Sequence, residues 1–343
     1  MYVTTIGLDV AKTIFQVHGV DDTGGNTVRR RLRRAEVLPF FEGLAPCLVG
    51  LEACAGAHHW AREIRKLGHE VRLMPPQYVR PYVKRNKNDA ADAEAICEAV
   101  TRPTMRFVPV KSVDQQAVLM LHRSRDLLIR QRTALVNALR GHFAELGIVV
   151  GQGISNVAKL VEEVTAAGPE RVPAIARAVL EVLTAQLGAL QQQIRALEAE
   201  LLAWHRANAA SQLLATIPGI GPITATAIVA TITEATQFRS AREFSAWIGL
   251  VPRQHSSGGK ERLGGISKRG DAYLRRLLIH GARTALRWRK AGAIDASGWV
   301  RGLLDRRPPN VATVAIANKT ARIAWAVLVR GAPYRSSATA QAA

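Results

Sequence analysis

Residues 2–20 read YVTTIGLDVAKTIFQVHGV, and residues 47–52 read CLVGLE. Residues 2–10 are β-branched and apolar, and a tight turn at Ala11 and Lys12 leads to a second strand over 14–20. Residues 27–33 form a third, with Gly24 and Gly25 marking the hairpin between the second and third. Further along, a helix over 37–44 precedes a buried strand at 47–52, and a helix over 58–67 precedes a strand at 71–74. Asn88 is a good helix cap, and Ala-rich sequence follows through Val100. A three-stranded meander followed by alternating helices and strands predicts a ribonuclease-H-like α/β layer over residues 1–105.

The next hundred residues read as helix. Leu180, Leu183, Leu187, Leu190, Ile194, Leu197 and Leu201 alternate spacings of three and four, a heptad seam expected of a coiled coil. Leu121, Leu128, Leu135, Leu139 and Leu146 repeat it more weakly upstream, beyond Gly- and Pro-containing sequence. Two antiparallel helices and a dimer arm fit the seam equally. The expected fold class is therefore α/β plus α: the sheet domain, a helical coiled-coil region over 106–210, a mostly helical basic domain over 211–330, and a small, polar, disordered tail over 331–343.

Charge narrows the function. Of 343 residues, 47 are Lys or Arg and 27 are Asp or Glu, giving a formal charge of +20. Residues 251–343 hold 18 basic residues against four acids (Glu261, Asp271, Asp295, Asp305), so +14 of that surplus lies near the carboxyl end. Such a surplus expects a polyanion, and the Arg fork suits phosphate. A composition 48% hydrophobic excludes disorder as the whole account. No continuous apolar run approaches the ~18 residues of a membrane span. The amino terminus lacks a signal-peptide pattern, and Cys47, Cys54 and Cys97 form no framework, so a cytoplasmic location is expected.

Asp9 and Glu52 each end an apolar strand, where a charge is costly unless a cation or hydrogen bonds receive it. Asp89 and Asp92 lie three apart and share a helix face. Four carboxylates on three elements can hold two divalent cations, and hard oxygen ligands favour Mg²⁺ or Mn²⁺. Singly, each also reads as a turn former, an Arg partner or a helix-start acid. Glu94 and Glu98 are expected to face solvent, and the adjacent His58 and His59 to point apart.

Residues 216–230, TIPGIGPITATAIVA, match a helix-hairpin-helix element in which the amides of Gly219 and Gly221 approach a phosphate. A structural turn between helices is the alternative. Next, Ser256 and Ser257 precede Gly258 and Gly259 in a loop flanked by Arg253, His255, Lys260, Arg262, Lys268 and Arg269. A hydroxyl there could attack phosphorus, although SSGG also describes a flexible loop.

Taken in order, GLDVAK, LEACAG, KNDAADA, IPGIGPITA and GLVPRQHSSGGKERLGGISKRGDAYLRRLL resemble the DEDD transposases of bacterial insertion elements, relatives of the Piv and MooV invertases. The resemblance implies a RuvC-like domain whose metal-binding acids are Asp9, Glu52, Asp89 and Asp92, and a transposase domain whose serine nucleophile is Ser257, with Ser256 in reserve. It also implies Mg²⁺ dependence, an element-encoded bridge RNA that pairs with donor and target DNA, and dimers that join into a tetramer. The Ala53-Cys54-Ala55 run after Glu52 departs from the small Ala-Thr-Gly run of many members. Two rivals stand beside it: a RuvC-like nuclease or junction resolvase using water, and a non-enzymatic DNA-binding protein.

Overall fold

The computed structural model describes residues 2–84, 89–287 and 298–335, so the expected cap at Asn88 and the tail over 336–343 lie outside the described residues. The chain divides into two compact units, Met1–Val113 and Asp114–Ala343.

In the first unit, β1 (Thr5–Asp9), β2 (Ile14–Val20) and β3 (Asn26–Arg33) form the meander. They are followed by α1 (Val37–Glu42), β4 (Leu48–Glu52), α2 (Ala57–Lys66), β5 (Glu70–Met74), α3 (Pro76–Val79) and α4 (Asp89–Val100). The sheet order is β3-β2-β1-β4-β5. The meander is antiparallel, while β4 runs parallel to β1 and β5 parallel to β4. Side-chain alternation divides the residues between two faces. Ile6, Leu8, Phe15, Val17, Val49, Leu51, Val71 and Leu73 pack with Val37 and Phe41 of α1 and with Trp60, Ala61 and Ile64 of α2. The opposite face meets α4, whose Ile96, Ala99 and Val100 pack with Met74.

In the second unit, α5 (Val113–Ala144, entering from the last residue of the first), α6 (Val157–Ala166) and α7 (Ala174–Ala207) come first. Val136, Leu139 and Phe143 of α5 pack with Leu160 and Val164 of α6 and Leu180 and Leu187 of α7. At the other ends, Val118 and Leu119 pack with Leu201. The two long helices are therefore antiparallel, tied midway by Arg125 and Glu198 at 2.6 Å. Within the chain the seam forms the antiparallel hairpin, and Leu180, Leu187, Leu190, Ile194 and Leu201 are buried in it.

The remaining helices are α8 (Ala209–Ala215), α9 (Pro222–Thr231), α10 (Ala241–Ile248), α11 (Ala272–Arg287), α12 (Trp299–Arg306) and α13 (Pro309–Arg330). A short hairpin, β6 (Pro252–Gln254) and β7 (Leu263–Ile266), interrupts them. The 22-residue α13 is long and apolar enough on average to cross a membrane, although it holds no continuous apolar run of that length. Asn310, Asn318, Lys319 and Arg322 break its sequence into shorter stretches. Its Ile316, Ala317, Ala321, Ala324 and Val327 belong to the core shared with α9, α10 and α11.

Candidate active site

Asp9 is the last residue of β1 and Glu52 the last of β4. Their parallel register pairs Leu8 with Leu51, so the next step sets Asp9 beside Glu52 at the carboxyl end of the sheet. Both lie two residues beyond a glycine, Gly7 and Gly50, and so share that glycine's face. The glycines explain how α4 reaches the sheet. A Cβ on Gly7 would fall inside the contact envelope of the Ala93 carbonyl and the Cys97 amide and 2.8 Å from Cys97 Cβ. A Cβ on Gly50 would stand 2.8 Å from Val100 Cβ.

Near Thr5 the helix presents Cys97, whose Sγ lies 3.7 Å from the Thr5 carbonyl, and at Gly7 it presents Ala93 as well. Moving along β1 toward Asp9 therefore moves along α4 toward its first turn, which holds Asp89 and Asp92. Asp92 is half-buried and Asp89 exposed, and both suit the positive end of the helix. A witness to the local field is Cys54. Burial raises its thiol pKa above the usual value, and the Asp9 and Glu52 carboxylates raise it further. Both carboxylates therefore lie near enough to this thiol to act on it together. Among the described residues, no three His, Cys, Asp or Glu side chains are gathered to hold a metal together.

Glu94 and Glu98 do not simply face solvent as expected. Glu94 pairs with Arg29 at 3.5 Å and with Lys84, and Glu98 pairs with Lys84 at 3.2 Å and Arg102 at 2.6 Å. They sit on a flank of α4 that long cations from β3 and from the segment before α4 can reach. His58 accepts from the Lys111 amide at 3.1 Å, while His59 is exposed.

In the second unit the serine segment is an ordered hairpin. Gln254 pairs with Leu263 and Pro252 with Ile266, and at the tip Ser257 bridges to Lys260, whose amide donates to the Ser257 carbonyl at 3.1 Å. Gly258 and Gly259 have φ of 56° and 77°, the positive pair that a two-residue type I′ turn requires. The geometry separates the two serines. Ser256 Oγ accepts from the Arg262 amide at 3.2 Å, whereas the exposed Ser257 hydroxyl has no hydrogen-bond partner among the described residues.

Arg253, Lys260 and Arg262 are exposed along this hairpin, with Lys268 and Arg269 at its base. None of the five pairs with a carboxylate among the described residues. Arg253 Nε donates to the Ser267 carbonyl at 3.3 Å, which sets the start of its side chain.

The glycine turn joins α8 to α9. Gly219, at φ 89°, packs against α11: a Cβ there would stand 3.0 Å from the Gly281 carbonyl oxygen, and one on Gly281 would strike the Gly219 carbonyl. Helix packing thus explains the missing side chain at Gly219. Gly221 caps α9, is exposed, and has open space where a side chain would go.

Two features escaped the sequence reading. GLD at 7–9 and GLE at 50–52 repeat one pattern, glycine two residues before the acid, and that repeat could have revealed the helix contact. His122 of α5 gave no such signal. Buried in the second unit, it lies 3.0 Å from Tyr273 Oη and 3.1 Å from Thr226 Oγ1. Thr226 donates to the Pro222 carbonyl at 2.9 Å and so can accept from Nε2–H, leaving Nδ1 to accept from Tyr273. Burial, and then Arg125, push the His122 pKa down to about 4, consistent with that neutral ring.

Comparison with known proteins adds the family. A DEDD transposase profile of the IS110 type matches residues 6–148, and the profile described as transposase IS116/IS110/IS902 family matches residues 211–295. A probable family 20 transposase from Pseudomonas aeruginosa is 54% identical over 337 residues, covering 98% of this chain and 99% of its own. The transposase for insertion sequence element IS1328 of Yersinia enterocolitica is 43% identical over 97% of this chain and 98% of its own. The transposase for IS1111A of Coxiella burnetii is 43% identical over 97% and 92%.

Proposed function

Because the chain belongs to the IS110 family of insertion-element transposases, which cleave DNA and transfer its strands, we propose that it does so with the carboxylates of Asp9, Glu52, Asp89 and Asp92 and the hydroxyl of Ser257. On this reading the first unit is a RuvC-like domain, supported by its β3-β2-β1-β4-β5 order and mixed pairing. The second unit divides into the α5–α7 hairpin and a basic transposase part in which α8 and α9 form a helix-hairpin-helix element.

Ser257 Oγ attacks phosphorus, forming an ester bond to the DNA as one P–O bond of the backbone breaks and leaves a hydroxyl end. A second strand's hydroxyl then reverses the step, restoring a phosphodiester and freeing the serine. The serine proton must leave as the bond forms, and the departing oxygen must gain one; the carboxylates of Asp9, Glu52, Asp89 and Asp92 are the groups for that transfer. A Mg²⁺ or Mn²⁺ ion held by the same four acids would supply charge neutralisation and ease ionisation of the attacking hydroxyl. Arg253, Lys260, Arg262, Lys268 and Arg269 neutralise the phosphate, and the Gly219 and Gly221 amides offer sequence-independent contacts. Donor and target DNA, a bridge RNA that selects them, assembly of dimers into a tetramer, and action on host DNA in the cytoplasm complete the proposal.

The observation that carries it is the Ser257 hydroxyl, exposed at the two-glycine tip of a hairpin whose exposed cations have no carboxylate partner among the described residues, while Ser256 is engaged within the hairpin. The test is an assay of the full-length protein, with flanking DNA and co-expressed RNA, for a denaturant-resistant, Mg²⁺-dependent protein–DNA adduct. Wild type and Ser256→Ala form it; Ser257→Ala and Asp9→Asn do not. An adduct that survives Ser257→Ala sinks the serine role. One observation favours the nuclease reading: no base is hydrogen-bonded to Ser257 among the described residues. That reading expects cleavage to persist in Ser257→Ala.

A further inference from the structure

The sheet register carries the acid site outward in one direction. Asp9 pairs with Gln16 of β2, and Gln16 pairs with Arg31 of β3. With Glu52 beside Asp9, the four residues make one row across the sheet: Glu52, Asp9, Gln16, Arg31. All face the α4 side, because partners across a sheet share a face. The adjacent row is Gly7, His18, Arg29.

Beside these rows and the first turns of α4 lies a groove of about 460 Å³ at the β2–β3 edge, lined on the α4 side by Gln16, His18, Arg29, Arg31 and Glu94 and reaching Arg30 on the other side; Asp9 and Glu52 stand next to it along the row, outside its lining. Arg29 is partly neutralised by Glu94 at 3.5 Å. Arg31 is exposed and has no carboxylate partner among the described residues. At about 5 Å per strand, Arg31 stands on the order of 10 Å from Asp9, roughly three nucleotides of a strand at ~3.4 Å each.

We propose that this groove is the track along which one strand of the substrate DNA leaves the carboxylates, with Arg31 holding a backbone phosphate a few nucleotides from the scissile one and Gln16 bridging the interval. Arg31 is a positioning residue. Its fork offers two parallel donors to a phosphate, and among the described residues it sits on the edge strand of the sheet. The occupant is DNA because the row is continuous with the acids, so whatever strand is held there for cutting also lies on the row. The inference rests on the acid site proposed above.

The test measures binding of full-length protein to labelled DNA carrying the element end, and to RNA of the same sequence, across a salt series without divalent ions. Arg31→Glu is compared with Lys66→Glu, an equal charge change on α2, which covers the other face of the sheet. Arg31→Glu is expected to weaken DNA binding by about tenfold or more, the lower end for a charge-assisted contact, and to reduce the salt slope by about one. Lys66→Glu should stay within roughly twofold. Equal losses for the two variants, or a loss on RNA matching that on DNA, overturn the track. Cleavage by Asp9→Asn separates the two ideas. If it is abolished while Arg31→Glu binds normally, the acid site stands and the track falls; if it persists, the acid site itself falls.

Discussion

Replacing Gly7 by Ala adds one methyl group where β1 meets α4. The new Cβ would stand 2.8 Å from Cys97 Cβ, against ordinary contact from 3.4 Å, and closer still to backbone atoms of Ala93 and Cys97. Neither backbone atom can rotate away, so α4 must withdraw by about 1 Å, and overpacking of this kind costs ~1–3 kcal/mol, here toward the upper end. Function should suffer more than stability. The first turn of α4 carries Asp89 and Asp92, and a displacement of about 1 Å from Asp9 and Glu52 can cost on the order of 100-fold in rate. Gly50→Ala is the graded comparison, because its clash is with the Val100 and Met74 side chains, and Met74 can yield. Urea unfolding followed by circular dichroism reports the stability, and the Mg²⁺-dependent adduct assay reports the rate. A Gly7→Ala protein within about 0.5 kcal/mol of wild type and with an unchanged rate would refute the idea that helix seating aligns the acids.

Three further outcomes are expected. His122 has a folded pKa of about 4 against an ordinary 6.5, so between those values the unfolded chain binds the extra proton. Stability of the second unit should therefore be full above pH 6.5 and fall by about 3 kcal/mol as pH drops toward 4; His122→Gln should lose that slope, and an identical slope in both proteins would contradict it. Gly281→Ala drives a methyl group into the Gly219 carbonyl and should cost about 1–3 kcal/mol in a denaturant melt, whereas Gly221→Ala, with open space, should cost less than about 1 kcal/mol and show its effect in DNA affinity. Ser256→Ala removes the acceptor of one exposed amide and should loosen the hairpin by about 0.5–1 kcal/mol, seen as faster exchange of the Arg262 amide, with adduct formation retained.

How much was legible varied by element. The strand pattern of the first unit was readable because its faces are chemically distinct: β2 was expected at 14–20 and forms there, and β4 differs by one residue. The serine segment reads as loop, since its composition is Gly, Ser and charge. It is ordered by a two-glycine turn and by cross-strand bonds between residues several positions apart. The heptad seam was visible, but not its partner, because an apolar stripe has the same spacing whether it packs on its own chain or on another. The length of α13 hid for a related reason: Asn310, Asn318, Lys319 and Arg322 interrupt the linear run, while Ile316, Ala317, Ala321, Ala324 and Val327 still meet in the core.

Sequence alone determined the local facts: alternation in the first unit, acids at strand ends, the excess of Arg, and the ordered motifs that carry the family. These are legible because each depends on residues close along the chain. Tertiary structure decided the pairings. It set Asp9 beside Glu52 and aligned Gln16 and Arg31 with them, because register between distant strands assigns neighbours that no spacing along the chain reveals. It also turned Gly7, Gly50, Gly219 and Gly281 into contacts between elements, since a missing side chain has meaning only against the atoms that occupy its place.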